Sequence, residues 1–174
     1  MTFRFCDESE YGFGWISDER LVRTSHALAV EGRVWLVDAV LWPDALDRAS
    51  ELGEPAGVIQ LLDRHNRDCA AVAAKLGVPH LRVPDRVDAP LEIIRVVEVP
   101  FWRERALWWP ERRVLVVADA LGTVGYFTWG GKRIGVHPLL RLRPPRKLTQ
   151  LGAHVIHVGH GEGVTTNVFA ASGT

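Results

Sequence analysis

Within the stretch LLDRHNRDCAAVAAKLGVP, residues 61–79, Asp63, His65 and Asp68 have the spacing of metal ligands. Aspartate oxygen binds hard cations and zinc, and imidazole nitrogen binds zinc and other transition metals. Three more residues of ligand type follow apolar runs. Asp38 ends VWLVD, Asp119 ends VLVVAD, and His160 follows HVIHV inside GHGEG. Chain segments just beyond strand ends are where sites are commonly built, because the sheet fixes the side chain while the loop admits a ligand. A divalent ion held by such residues would acidify water for attack on an ester, thioester, lactone or phosphoester. A purely structural role is the alternative. Asp63 and Asp68 would then be the polar start of a helix, where carboxylates cap free amides and suit the helix dipole. His154 and His157 lie close to His160, but they are three apart on a strand and so point to opposite faces.

The elements that must position these residues can be read from hydrophobic periodicity. GFGWI, HALAV and RVWLVDAV are apolar strand runs, with a tight turn at Glu31-Gly32. PDALDRASEL, 43–52, has helical spacing and ends at Gly53, a C-cap residue. AGVIQLL is a buried strand. RDCAAVAAKL is a second helix, opening at or beside Asn66 and stopping at Gly77. LEIIRVVEVP, RALWW and RVLVVADAL are further strands, the last two separated by the turn PERR. PPRKLTQLG is a short helix with proline at its start, and HVIHVGHGEGV a strand running into a glycine turn.

The 174 residues suit one domain, 1–174, with a sizeable core. Lys+Arg and Asp+Glu are both 21, so no global field points to nucleic acid or to an anionic membrane surface. Between Leu121 and Gly161 there is no acid, while Lys132, Arg133, Arg141, Arg143, Arg146 and Lys147 all fall there. A solvated face is the ordinary role of such a run, and no phosphate-cradling glycine loop accompanies it. Cys6 and Cys69 form no CxxC pair, which suits a reducing cytoplasm. No signal-peptide pattern opens the chain, and no apolar run approaches the ~20 residues of a membrane span. Cys69 is either a nucleophile beside His65 or a small buried core residue.

The arrangement of these strand-end residues resembles the metallo-β-lactamase superfamily over roughly 34–164. The resemblance implies an α+β fold, an αββα sandwich of two mixed β-sheets flanked by helices, with metals at one edge of the sheets. In the family's His-x-His-x-Asp-His motif, Asp63 stands at the first His, His65 at the second, Arg67 at the Asp and Asp68 at the third His. Asp38 and Asp119 match its strand-end aspartates and His160 its Gly-His-Gly histidine. No His occurs between His80 and His137, so the family's separate middle His has been replaced.

Two functions follow from the resemblance. In one, Asp63, His65, Asp119 and His160 hold a single zinc, manganese or iron ion, with Asp68 as a further ligand or base. In the other, the dinuclear site is lost, no metal binds, and the former cleft takes a small molecule or partner protein. Arg67 weighs on both. Unit charges about 4 Å apart interact by roughly 4 kcal/mol at an effective dielectric near 20. A guanidinium facing a divalent ion must therefore turn away, or pair with Asp63 and Asp68 in an ion-pair network that shuts the site. Neither a membrane nor a nucleic acid is expected as a partner.

Overall fold

In RVWLV the side chains alternate between two layers: Val34 and Leu36 face one core, Trp35 and Val37 the other. The same two-residue period, which a strand imposes by pointing successive Cβ atoms to opposite faces, recurs in the second half. Leu107, Trp109, Val114 and Val116 join the core of Trp35 and Val37. Ala106, Trp108, Leu115 and Val117 face the other way. Strands apolar on both faces must be covered on both, and that requirement dictates the layering.

The computed structural model describes residues 2–18, 22–65, 67–130 and 132–166. In chain order the elements are β1 (Phe3–Ser9), β2 (Gly12–Ser17), β3 (Arg23–Val30), β4 (Arg33–Val37), α1 (Pro43–Leu52), β5 (Glu54–Gln60), α2 (Cys69–Leu76) and β6 (His80–Arg82). There follow β7 (Glu92–Val99), β8 (Trp102–Trp109), β9 (Val114–Val117), β10 (Leu121–Gly122), β11 (Gly135–Val136), a 3-10 turn (Pro138–Leu140), α3 (Arg146–Gln150), β12 (Val155–Val158) and β13 (Val164–Thr165). One sheet has the order β1-β2-β3-β4-β5-β6, the other β13-β12-β9-β8-β7, and β10 pairs with β11. Both large sheets are mixed: β4, β5 and β6 run parallel, as do β9 and β12, and the remaining pairs are antiparallel.

Between the sheets lie Leu28, Trp35, Ile59, Leu61, Leu107, Trp109 and Val116. Outside the first sheet, Ala45, Leu46 and Ala49 of α1 and Val72 and Ala73 of α2 pack on Trp15, Leu36 and Val58. Outside the second sheet, Leu148 of α3 and Ala153 pack on Trp108, Leu115 and Val117. The order is therefore helix, sheet, sheet, helix, the α+β sandwich expected from the sequence.

Gly77 closes α2 with φ 67°, its N–H reaching the carbonyls of Ala73 and Ala74. This left-handed conformation suits glycine. The start of α2 differs from the expectation. Asn66 lies outside the described residues, and the helix opens at Cys69. Asp68 occupies the cap position but makes no capping bond, because its carboxylate accepts the Leu41 N–H at 2.9 Å instead. β1 was not anticipated, since FRFCDES alternates charge with apolar residues on an edge strand. The tail from 167 onward lies outside the described residues. Among the described residues, no helix is long and apolar enough to cross a membrane.

Candidate metal centre

Asp38 follows the end of β4 at φ 48°, in the left-handed region that Asp tolerates better than most residues. Its carboxylate Oδ1 accepts the Leu61 N–H at 3.0 Å, and its own N–H donates to Ile59. Beyond β5 the chain leaves the first sheet and meets the second. Arg105 N–H donates to Leu61 at 2.8 Å, and Asp63 N–H donates to Arg103 at 3.1 Å. His65 is thereby carried into the gap between the sheets. β9 and β12 are parallel neighbours with Val117 opposite Val158. Asp119 and His160, each two residues past its strand, consequently emerge at the same end.

The three side chains meet there. His65 Nε2 is 2.8 Å and His160 Nε2 3.0 Å from the same Asp119 oxygen, Oδ1. All three ligand atoms lie within 4.8 Å of one another. Behind each ring stands a group that orients it. His160 Nδ1 donates to the Val22 carbonyl at 2.9 Å, leaving Nε2 to face Asp119. His65 Nδ1 faces Asp38 Oδ2 at 3.5 Å and has no hydrogen-bond partner of its own, although buried. A carboxylate or carbonyl behind a ligating imidazole is the usual outer layer of a metal site.

The electrostatics are those of a concentrated charge cluster. Burial opposes ionisation of Asp119, but the hydrogen bonds from His160 and His65 prevail and hold its carboxyl well below the usual carboxylate range. Burial and the nearby Arg67 push His65 down, yet its bond to Asp119 and the facing Asp38 carboxylate leave its pKa raised. Asp38 is held low in the same way: burial raises it, and the facing His65 and nearby Arg67 outweigh that. Two imidazoles and one carboxylate, with no fourth protein ligand in the group among the described residues, fit a zinc, manganese or iron ion that keeps positions open.

Asp63 and Asp68 have other partners. Asp63 Oδ2 is 3.4 Å from Arg103 Nε, and its carbonyl accepts from Arg82. Asp68 is exposed and bound to Leu41 as described. Arg67 makes neither of the ion pairs that would shut the site. Its guanidinium donates to the carbonyls of Thr24, of Asp38 at 3.1 Å and of Gly159 at 2.8 Å. It satisfies backbone acceptors of both sheets, which explains how a cation is tolerated beside this cluster.

Several residues of the site were not singled out in the sequence. Glu104 is fully buried on β8, and its Oε1 accepts the N–H groups of Asp119 and Ala120 at 2.9 and 2.7 Å. Burial and the charge of Asp119 push it up to about 7. Flanked by Arg103 and Arg105, it carries no signal of burial in the sequence. Arg64 lies 4.1 Å over the Trp102 ring and 3.8 Å from Asp119 Oδ2. His137 sits edge-on to Trp102 and Phe127, and Phe127 stacks on His160. Trp102, His137 and Phe127 are buried, so these rings back the centre from the interior, and the exposed Arg64 packs on one of them. Cys69 is buried, with Sγ turned to the Ala39 carbonyl at 3.7 Å, and belongs to the core.

No protein-family model matches the sequence, and no curated protein matches it. Solved structures do. DIM-1 metallo-β-lactamase exposed to ceftazidime is similar with a TM-score of 0.67 at 14% identity, over 95% of this chain and 92% of that one. A metallo-β-lactamase from Pontibacter korlensis reaches a TM-score of 0.69 at 9% identity, over 94% of each chain. The metallo-β-lactamase FIM-1 from Pseudomonas aeruginosa, in its mono-zinc form, gives 0.67 at 10% identity, over 95% and 90%. Layer order and these likenesses agree: the chain has the metallo-β-lactamase fold.

Proposed function

We propose that this protein has lost the two-metal centre of its fold and keeps a single-metal one, held by His65, Asp119 and His160, for hydrolysis of an ester, thioester, lactone or phosphoester. The observation that carries this reading is the convergence of His65 Nε2 and His160 Nε2 on Asp119 Oδ1, with Asp38 and the Val22 carbonyl behind the rings. Such outer-layer support is what a ligand set needs and a chance histidine pair lacks. That a structure of this fold exists in a mono-zinc form is compatible with one ion sufficing.

The chemistry a divalent ion supplies in such a place is acidification of water and polarisation of a carbonyl or phosphoryl oxygen. The chain's own residues do the rest. Asp38 and Val22 fix the two rings. Glu104 fixes the backbone that presents Asp119. Arg64, stacked on Trp102 at the rim, is placed to attract an anionic group of the substrate. The buried Trp102, His137 and Phe127 pack on one another and on His160 and hold that ring in place. Two unpaired buried cysteines suit a reducing compartment, and a cytoplasmic setting is part of the proposal.

A non-catalytic role is the second reading, and Arg67 favours it, since its three carbonyl bonds fill space next to the cluster. Turnover separates the two. Metal-loaded protein is assayed against activated esters, thioesters, lactones and phosphodiesters, with His160→Gln as the control. Hydrolysis that falls with the loss of one metal equivalent in the variant supports the enzyme. A metal equivalent lost without any turnover to lose supports the binding protein. No change in metal content on substitution removes the site itself.

A further inference from the structure

A second group of the same chemical type lies in the fold, made by residues that take no part in the centre above. Asp7, His26 and His157 bring their ligand atoms within 4.8 Å of one another. They come from three strands in two sheets: Asp7 from β1, His26 from β3 and His157 from β12. Asp7 has φ 51° and lies where the β1–β2 register shifts, between Cys6 and Ser9. A bulge of this kind re-aims a side chain. Here the carboxylate becomes almost wholly buried, against the edge-strand expectation for an acid.

The cradle is built around these groups. The Gly163 N–H donates to Asp7 Oδ1 at 2.8 Å, which leaves Oδ2 for the two imidazoles. His26 Nε2 is 3.2 Å and His157 Nδ1 3.6 Å from that oxygen. Two glycines make room. A Cβ on Gly14 would lie 3.1 Å from the His26 ring, and one on Gly163 would lie 3.0 Å from His157 Nδ1 and 3.1 Å from Asp7 Oδ1.

A hydrogen-bonded triad does not account for the arrangement. His157 is 4% exposed, yet its Nδ1, aimed at the carboxylate, has no hydrogen-bond partner. Ligand atoms shared by one tetrahedral zinc, at about 2.0–2.1 Å from the metal, are themselves roughly 3.3 Å apart. The observed separations bracket that value.

We propose that Asp7, His26 and His157 form a second, structural metal site that clips β1 and β3 of one sheet to β12 of the other around a zinc-class divalent ion. The ligand set has one charge and two soft-to-borderline nitrogens, which selects zinc or cobalt over magnesium or calcium. Cys6, whose Sγ lies against the same Gly14 as His26, flanks the site without joining the three atoms that meet.

The test uses full-length protein stripped with chelator and titrated with cobalt, followed by visible absorption and metal analysis. The double variant His65→Gln/His160→Gln removes the first centre. It is expected to retain one equivalent of cobalt with a tetrahedral absorption band, and a melting temperature that rises on metal addition. Adding Asp7→Asn, which keeps the side-chain size and the Gly163 bond, is expected to weaken that binding by more than roughly 100-fold, beyond what outer-layer changes cost. His157→Gln is the second probe. Asp7→Asn alone, in an otherwise unaltered chain, should remove one equivalent whether or not the first centre binds. Absence of cobalt from His65→Gln/His160→Gln, or an affinity there that Asp7→Asn and His157→Gln leave unchanged, overturns the proposal.

Discussion

Arg67 Nη2 donates to the carbonyl oxygen of Gly159 at 2.8 Å, joining the loop after β5 to the residue just before His160. The same guanidinium also holds the carbonyls of Thr24 and Asp38. A residue that stands in the sequence where a metal-binding carboxylate would be expected is thus a strap between the two sheets, at the edge where the candidate centre lies.

Removing the strap leaves three backbone acceptors without their donor. Charged hydrogen bonds contribute about 1.5–3 kcal/mol each, less where water can replace the donor. Arg67→Ala is expected to lower stability by about 3 kcal/mol or more. Arg67→Lys should recover only part of this, because an ammonium cannot reproduce the planar fork. Urea unfolding of the two variants measures both numbers.

His65 gives a pH signature in metal-free protein. Burial and Arg67 oppose protonation, but the Asp119 bond and the facing Asp38 carboxylate raise its pKa in the fold. A raised base contributes stability that is fully present below its unfolded pKa of about 6.5 and is lost as pH rises through the folded value. The stability difference between the unaltered protein and His65→Gln should therefore shrink as pH climbs above about 6.5. Metal binding has the opposite sign, since the ion displaces the proton and gains affinity with rising pH. Parallel denaturation series with chelator and with zinc separate the two trends.

Glu104 is the internal support of Asp119. Glu104→Ala would leave the Asp119 and Ala120 amides and the Trp102 Nε1–H without acceptors. Each buried, unsatisfied donor costs about 1–3 kcal/mol. A loss of roughly 3–6 kcal/mol in folding stability is expected by calorimetry or denaturant titration, together with loss of metal from the first centre.

Both thiols should be silent in the native state. Burial pushes Cys69 up to about 12, and Cys6 is raised still further by burial and by Asp7. Because the thiolate is the reactive form, a thiol reagent should label neither residue between pH 7 and 9, and both after unfolding. Rapid labelling of Cys69 in folded protein would return it to the list of nucleophiles.

Hydrophobic alternation made the strands legible, and strand ends then marked Asp38, Asp119 and His160, because a sheet fixes where its ends point. His65 was legible from its spacing after VIQLL. What spacing could not convey was side-chain direction in the irregular turn at 63–68. There Asp63 turns to Arg103, Asp68 to Leu41 and Arg67 to three carbonyls. Those partners are 27 to 92 residues away in sequence. Glu104 was concealed by its strand, whose acid reads as a solvent-facing position until the partner amides of Asp119 and Ala120 are seen. Strand parity did set His157 on the opposite face from His154. Its meeting with Asp7 depends on a bulge that no composition signal marks.

The central claim, one ion between His65, Asp119 and His160, is tested most directly by anomalous diffraction at the zinc edge from zinc-soaked crystals. The expected result is a single peak at about 2.0–2.2 Å from His65 Nε2, His160 Nε2 and an Asp119 oxygen. A pair of peaks about 3.5–4 Å apart there, the separation of a two-metal site, or no peak among these three residues, would contradict it.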